Sequence, residues 1–301
     1  MIKKSYRSAI INNKLCICKN KLKQRINFGN LPLINNYKRK INLTKYPVVI
    51  SQCEKCLLIQ LKYSISDKLL FPSDYSYLSG NSKEKLNNFK TIYKKILNFS
   101  KKNNPKILDI GSNDGSFLNL VKNKYSNALG IEPTNSANIA MSKGVKTIKR
   151  FLNFNLAQKI LNKYSKFDFI VATNIIAQTN NLDKILQSIK LLLSKKGLLI
   201  IEVQYLYDLL AQKGFDSFHP EHIRYYTFSS IIKVLENYKL YVFDAERLSV
   251  HGGILRAYAS LNKKVRSKNL KKVLKKENDK KIFSKLKNLN SFRKKFNLRI
   301  K

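Results

Sequence analysis

The stretch PKILDIGSNDGSF, residues Pro105 to Phe117, carries an apolar run into a turn with two glycines and out into a second apolar pattern. Ile107, Leu108 and Ile110 make a nearly continuous apolar segment, as expected of a strand buried on both faces. Beyond the turn, Phe117, Leu118 and Val121 recur at helical spacing. The order is therefore strand, glycine loop, helix. The loop reads Gly111-x-Asn113-x-Gly115. A pyrophosphate-binding turn also wants glycine in the middle, so that backbone can approach phosphate. Here Asn113 takes that place, and the turn still brings backbone N–H groups and a helix N-terminus toward a ligand.

The next segment, NALGIEPT, reads as a second strand closed by Glu132. An acid about twenty residues past such a loop can accept both hydroxyls of a ribose. Asp109, inside the loop's own strand, adds another negative charge. Two acids beside one loop repel a pyrophosphate and suit a cation. S-adenosylmethionine meets that description, with its ribose hydroxyls, ammonium and sulfonium. A nicotinamide-dinucleotide loop and an ordinary strand–helix turn are the alternatives.

The alternation continues. FDFIVATN reads as a strand ending near Asn174. In LDKILQSIKLLLSKKG, Leu182, Ile185, Ile189 and Leu192 share one side of a helix, with Gly197 expected just past its end. LLIIEV is a strand, SIIKVLENY a helix, and LYVFDAERL and GILRAYASL are closing strands. This order predicts an α/β fold, a Rossmann-like, mostly parallel sheet with helices on both faces. Ligands of such sheets sit beyond the carboxyl ends of the strands, where Asp109, Glu132, Asn174 and Glu202 all fall.

All four cysteines lie near the front, as Cys16-x-Cys18 and Cys53-x-x-Cys56. Two close pairs suit one tetrahedral zinc ion, and the absence of a secretion signal argues against disulfides. The C-x-C pair is one residue short of the preferred spacing, which predicts strained chelation; unliganded thiols are the alternative. YPVVISQCEKCLLIQL reads as a hairpin around the second pair. A small zinc-ribbon-like module to about residue 72 is expected. Of the three histidines, His219 and His222 sit in FDSFHPEHIRYY and His251 opens HGGILRAY. Histidine suits proton transfer near neutral pH. The pair follows the strand ending near Glu202 and so can overhang the pocket, with Glu221 placed to orient or charge-balance an imidazole. A loop with surface histidines is the alternative, and a metal role for the three lacks a ligand-like spacing.

With 59 Lys and Arg against 18 Asp and Glu, the 301-residue chain carries a formal net charge of +41. A nucleic-acid binder gathers such charge on one stripe. Here lysine runs through nearly every segment, so a compositional bias is the better reading, and nucleic acid is not the expected partner. The positive field would still draw in an anionic substrate. Apolar residues make up 44%, too many for wholesale disorder. No apolar run is long enough to span a bilayer, and the opening MIKKSYRSAIINNK shows no signal peptide, so a cytoplasmic protein is expected. Nothing in the sequence specifies an oligomeric state.

Taken together, the paired cysteines, GNLPLINNY, YPVVISQCEKCLLIQL, DYSYLSGNS, LDIGSNDGSFL, GIEPTNSANIA, FDSFHPEH and HGGILRAY resemble, in this order, the sugar C-methyltransferase family. That family uses S-adenosylmethionine to methylate nucleotide-linked keto-deoxysugars. The resemblance implies a zinc-binding module at 1–72, a class I methyltransferase core at 73–261, and a basic helical tail at 262–301 as the remnant of a C-terminal domain. It puts Cys16, Cys18, Cys53 and Cys56 on the zinc ligands, and Gly111, Asn113, Gly115 and Glu132 on the cofactor. It puts Glu221 and His222 on a catalytic Glu-His pair, with the histidine as base, and Tyr77 in a tyrosine-rich active-site segment. The chain departs from the family in its C-x-C pair, in His219-Pro220 where the family has Tyr-His, and in Gln178 where the family has histidine. It departs again in lacking a counterpart to the second α/β unit. A binding-only remnant and a methyltransferase acting on RNA or protein are the rival readings.

Overall fold

The structure, a computed structural model, describes residues 9–34, 44–250, 252–278 and 281–300. Residues 35–37 of the GNLPLINNY motif, the first eight residues and His251 lie outside the described residues.

The front of the chain forms β1 (Ile10–Asn12), β2 (Leu22–Pro32), β3 (Lys45–Cys53), β4 (Ile59–Leu61), β5 (Tyr63–Ile65) and a single helical turn, α1 (Asp67–Leu70). Strands β2, β3 and β4 pair antiparallel, with the second cysteine pair at the β3–β4 turn, as the hairpin reading expects. Helix α2 (Lys83–Phe99) follows, capped by Ser82, whose hydroxyl accepts the Lys85 N–H at 3.2 Å. Phe89, Ile92 and Ile96 make its buried stripe.

The core then alternates: β6 (Ile107–Ile110), α3 (Ser116–Val121), β7 (Ala128–Ile131), α4 (Ser136–Ser142), β8 (Thr147–Ile148), α5 (Phe154–Tyr164), β9 (Phe167–Thr173), α6 (Leu182–Leu192), β10 (Leu193–Gln204), α7 (Leu206–Ala211), β11 (Arg224–Tyr225), α8 (Phe228–Glu236), β12 (Tyr241–Leu248) and β13 (Ile254–Ser260). Seven strands make one sheet in the order β12-β13-β10-β9-β6-β7-β8. Strands β6 to β10 run parallel, and β13 is antiparallel to both of its neighbours. This is the Rossmann-like, mostly parallel sheet that the sequence predicts.

Period-two alternation sorts the strand residues between the two faces. Ile107 packs with Phe89, Ile92, Ile96 and Phe117 on the α2–α3 face. Leu108 and Ile110 pack with Ile160, Leu186 and Ile231 on the opposite face. Asp109 therefore points to the α2 side. The strand order reverses at β6, which has β7 on one side and β9 on the other. A crevice opens where the order of such a sheet switches, at the carboxyl ends of the strands, and the Gly111 loop leaves the sheet there.

One expectation is corrected. Helix α6 stops at Leu192, and Leu193 is already extended, so Gly197 lies inside β10 and not at a helix end. A Cβ on Gly197 would stand 2.8 Å from Leu193 Cδ1 and 3.0 Å from the Phe167 carbonyl oxygen. Close packing, not helix termination, explains that glycine.

The front module shares its sheet and its core with later segments. Strand β11 pairs antiparallel with β4. The tail forms α9 (Lys268–Lys276) and α10 (Ile282–Ile300). Ile282, Leu286 and Leu289 of α10 are buried with Ile26, Phe28, Ile59 and Phe218. Arg293 donates to the Phe28 carbonyl oxygen at 2.7 Å. Among the described residues, no helix is long and apolar enough to cross a membrane.

Candidate functional site

A cavity of 340 Å³ opens at the carboxyl ends of β6, β7 and β9. Its wall brings together Tyr77, Gly111, Asn113, Glu132, Asn174, His219, Glu221 and His222, residues spread over most of the chain. Two residues expected at the site, Asp109 and Gly115, are not in this wall. Gly115 instead presses the loop against α4, since a Cβ there would lie 2.8 Å from the Ala140 Cβ.

The loop geometry follows from its sequence. Gly111, Asn113 and Gly115 have φ of 74°, 50° and 72°, alternate left-handed residues. Glycine adopts that region freely, and asparagine tolerates it because its short amide can bond locally. Asn113 does what a glycine there cannot. Its side chain donates to the Tyr77 carbonyl at 3.0 Å and accepts the Ser79 N–H at 2.9 Å, tying the segment before α2 to the loop. Its own N–H donates to Glu132 Oε2 at 3.0 Å. The other carboxylate oxygen accepts from the N–H and hydroxyl of Thr134, at 2.9 and 2.7 Å. Glu132 thereby fixes the loop, and it keeps unused acceptor capacity on the cavity wall.

Asn174, with φ of 61°, turns the chain out of β9 and donates its N–H to the Glu202 carbonyl at 2.8 Å. The Glu202 side chain is a structural anchor. It is fully buried, accepting from Arg256 Nε and Asn88 Nδ2, each at 2.7 Å. Asp109 lies on the same side of the sheet, and burial pushes its carboxyl up to about 7 against the pull of Lys85.

The histidine segment is held from both sides. The Ile223 and Arg224 N–H groups donate to the Ala177 carbonyl at 2.9 and 3.0 Å, and the Arg224 guanidinium donates to the Thr179 carbonyl at 2.6 Å. From the front module, the Leu61 N–H donates to the Ile223 carbonyl at 2.8 Å. Phe218 stacks between Phe28 and Tyr225, with ring centroids 5.1 and 4.5 Å away. The His219 and His222 rings then stand 4.2 Å apart. Burial pulls His222 down to about 4, and burial with the neighbouring imidazole pulls His219 lower still. Both are neutral bases at pH 7. Among the described residues, His219 Nδ1 is buried without a hydrogen-bond partner. Gln178 lines the same cavity.

The four thiols converge. All four sulfurs lie within 4.8 Å of one another, with Cys16 to Cys56 and Cys18 to Cys53 at 3.4 Å. Tetrahedral zinc with bonds near 2.3 Å needs sulfurs roughly 3.8 Å apart, so the group fits that ion. The strain expected of C-x-C is relieved by matching turns. The residue after each pair, Lys19 or Leu57, is left-handed, with φ of 63° and 62°. Each donates its N–H to the carbonyl of the pair's first cysteine, Cys16 at 2.8 Å and Cys53 at 3.1 Å. The cluster is packed with Tyr226 and Ile176, beside the histidine segment.

Sequence reasoning missed Ser79, Lys85, Arg150 and Phe151, which also line the cavity. For Lys85 a signal existed: it continues the inward stripe of Phe89, Ile92 and Ile96 one turn further.

A family described as "Methyltransferase domain" matches residues 85–244, just over half of the chain, and one described as "Putative zinc binding domain" matches residues 16–71. The C-methyltransferase NovU of Streptomyces niveus is 24% identical over 241 residues, which cover 78% of this chain. The aligned part spans 57% of that relative's length. Among solved structures, the PH0226 protein of Pyrococcus horikoshii OT3 covers 64% of this chain and 97% of its own, at 15% identity and a TM-score of 0.48. The magnesium protoporphyrin IX methyltransferase of Synechocystis PCC 6803 with bound SAH covers 61% and 84%, at 14% identity and a TM-score of 0.46.

Proposed function

The chain belongs to the methyltransferase-domain family, and on that premise we propose that it transfers a methyl group from S-adenosylmethionine to carbon beside the ketone of a nucleotide-linked deoxysugar. The observation that carries this reading is one shared cavity. Glu132 and the Gly111 loop line it together with two neutral histidines and Glu221. The cofactor, when bound, supplies an electrophilic methyl on sulfonium.

The chain's residues do the rest. Glu132 accepts a ribose hydroxyl at the position left on Oε2. A ketone acidifies the neighbouring C–H, and His222 removes that proton onto its imidazole. The burial that keeps His222 neutral also makes its protonated form costly. Glu221, 4% exposed on the same wall, offsets that charge. Tyr77 or His219 donates a hydrogen bond to the enolate oxygen. Glu132 and the Gly111 loop would hold the cofactor, which would supply the methyl for the enolate carbon and leave as a neutral thioether. Alignment of two reactants can supply up to ~7–11 kcal/mol of such a barrier. The four cysteines would hold zinc in a closed tetrahedral shell, so its role would be structural, beside the strand pairing that positions His222.

The test is mass spectrometry of protein incubated with S-adenosylmethionine and a panel of 4-keto-6-deoxy sugar nucleotides. A product heavier by one methylene unit, lost in His222→Asn while cofactor affinity stays, is the expected result. Unaltered turnover in His222→Asn removes that base. No product from any panel member, in protein that binds the cofactor, rejects the sugar assignment.

A further inference from the structure

Lys85 is an awkward residue for the fold. It lies in the first turn of α2, where the helix dipole disfavours a cation. It is 3% exposed, and its ammonium makes no hydrogen bond among the described residues. A buried charge left in that condition is costly unless something pairs with it. Its close contact is the face of Phe89, with Nζ 5.3 Å from the ring centroid, and a ring does not replace three hydrogen-bond acceptors. The nearest carboxylates attract it without bonding to it. Glu202 is engaged by Arg256 and Asn88. Asp109 is only partly ionised at neutral pH.

Lys85 does, however, line the cavity, together with Ser79, Gly111 and Glu132. The segment that carries it is fastened to the glycine loop, with the Gly80 N–H on Asp114 Oδ2 at 3.2 Å in addition to the Asn113 bonds. The site therefore holds a buried lysine amine without a hydrogen-bond partner among the described residues, and Glu132, with acceptor capacity left on Oε2, lines the same cavity. S-adenosylmethionine has one anionic group, the carboxylate of its methionine end. We infer that Lys85 receives that carboxylate and so fixes the direction in which the adenosyl compound lies in the cavity. This inference rests on the S-adenosylmethionine reading above.

The experiment compares two ligands that differ in that one group, S-adenosylmethionine and its decarboxylated analogue, by calorimetry on the wild type, Lys85→Met and Lys85→Arg. The wild type should prefer the carboxylated ligand by about 10- to 100-fold, the worth of a hydrogen bond between charged groups. In Lys85→Met that preference should fall to about threefold or less, with affinity for the decarboxylated ligand nearly unchanged; Lys85→Arg should keep most of it. Removing an unpaired buried charge should leave the melting temperature equal or higher. A wild type without preference overturns the inference even if a variant fails to fold. So does a preference that survives in Lys85→Met, or an equal loss for both ligands. A wild type that binds neither ligand overturns the cofactor reading itself.

Discussion

Replacing Glu132 with glutamine preserves size and removes the charge at the residue that fastens the loop. The carboxylate accepts from the Asn113 N–H, the Thr134 N–H and the Thr134 hydroxyl. Glutamine offers one oxygen. Turned to Thr134, it sets its amide N–H₂ against the Asn113 N–H; turned to Asn113, it sets it against the Thr134 N–H. The first pose leaves one buried donor without its acceptor, and the second leaves two, the Thr134 N–H and hydroxyl. Bonds to charged groups contribute ~1.5–3 kcal/mol, and an orphaned buried donor costs ~1–3 kcal/mol. The fold should lose about 2–4 kcal/mol, read in urea as a lower midpoint at unchanged slope. The same change removes the acceptor proposed for the ribose, so affinity for S-adenosylhomocysteine should fall about 10- to 100-fold by calorimetry. A midpoint equal to that of the wild type would refute the account of the loop. A lowered midpoint with unaltered affinity would leave the loop account standing and refute the ribose role.

Elemental analysis should find one zinc per chain. Stripping it with a chelator should abolish methyl transfer more completely than cofactor binding, because β4 supports the histidine segment and not the Gly111 loop. Equal losses in both would place the metal's influence elsewhere. Gly111→Ala puts a Cβ into the Ile175 side chain at a φ of 74°. Thermal denaturation should show a loss of about 1–3 kcal/mol, only partly recovered by adding Ile175→Ala, since the backbone strain remains. Burial raises the Asp109 carboxyl from 3.8 to about 7, so the fold holds a proton that the unfolded chain has released. Wild-type stability is thereby reduced as pH climbs from about 4 through 7. Asp109→Asn should gain on the wild type across that window, by up to about 4 kcal/mol less the attraction lost to Lys85. A difference that stays flat with pH would show that Asp109 does not titrate there.

What the sequence disclosed was whatever local pattern dictates. The apolar run into Gly111, the helical spacing from Phe117 and the acid closing β7 follow from period and turn chemistry within a dozen residues or so, and they placed the sheet, the loop and Glu132. Gly197 was misread because glycine after an amphipathic run has two meanings, a helix stop or a close approach. The Phe167 carbonyl that decides between them is thirty residues away and silent in the local pattern. The C-x-C pair was misjudged for a related reason. Spacing rules assume a common turn, and here the shorter pair closes with the same left-handed residue and N–H to carbonyl bond as the longer one, which no composition signal marks.

The position of His222 depends on still longer connections. Two residues of β11 meet β4 more than 160 positions earlier in the chain, and Phe218 is clamped by Phe28 from another strand of the same front module. The same module carries the four thiols. The zinc knuckle, the β4–β11 pairing and the aromatic stack thus form one continuous support beneath the proposed base. The cofactor loop is braced separately, through Asn113 and Glu132. The cavity therefore has two halves with different supports, so damage to the front module should reach the chemistry before it reaches cofactor binding. Chain order alone conceals that division, because the thiols and the histidines stand at opposite ends of the sequence.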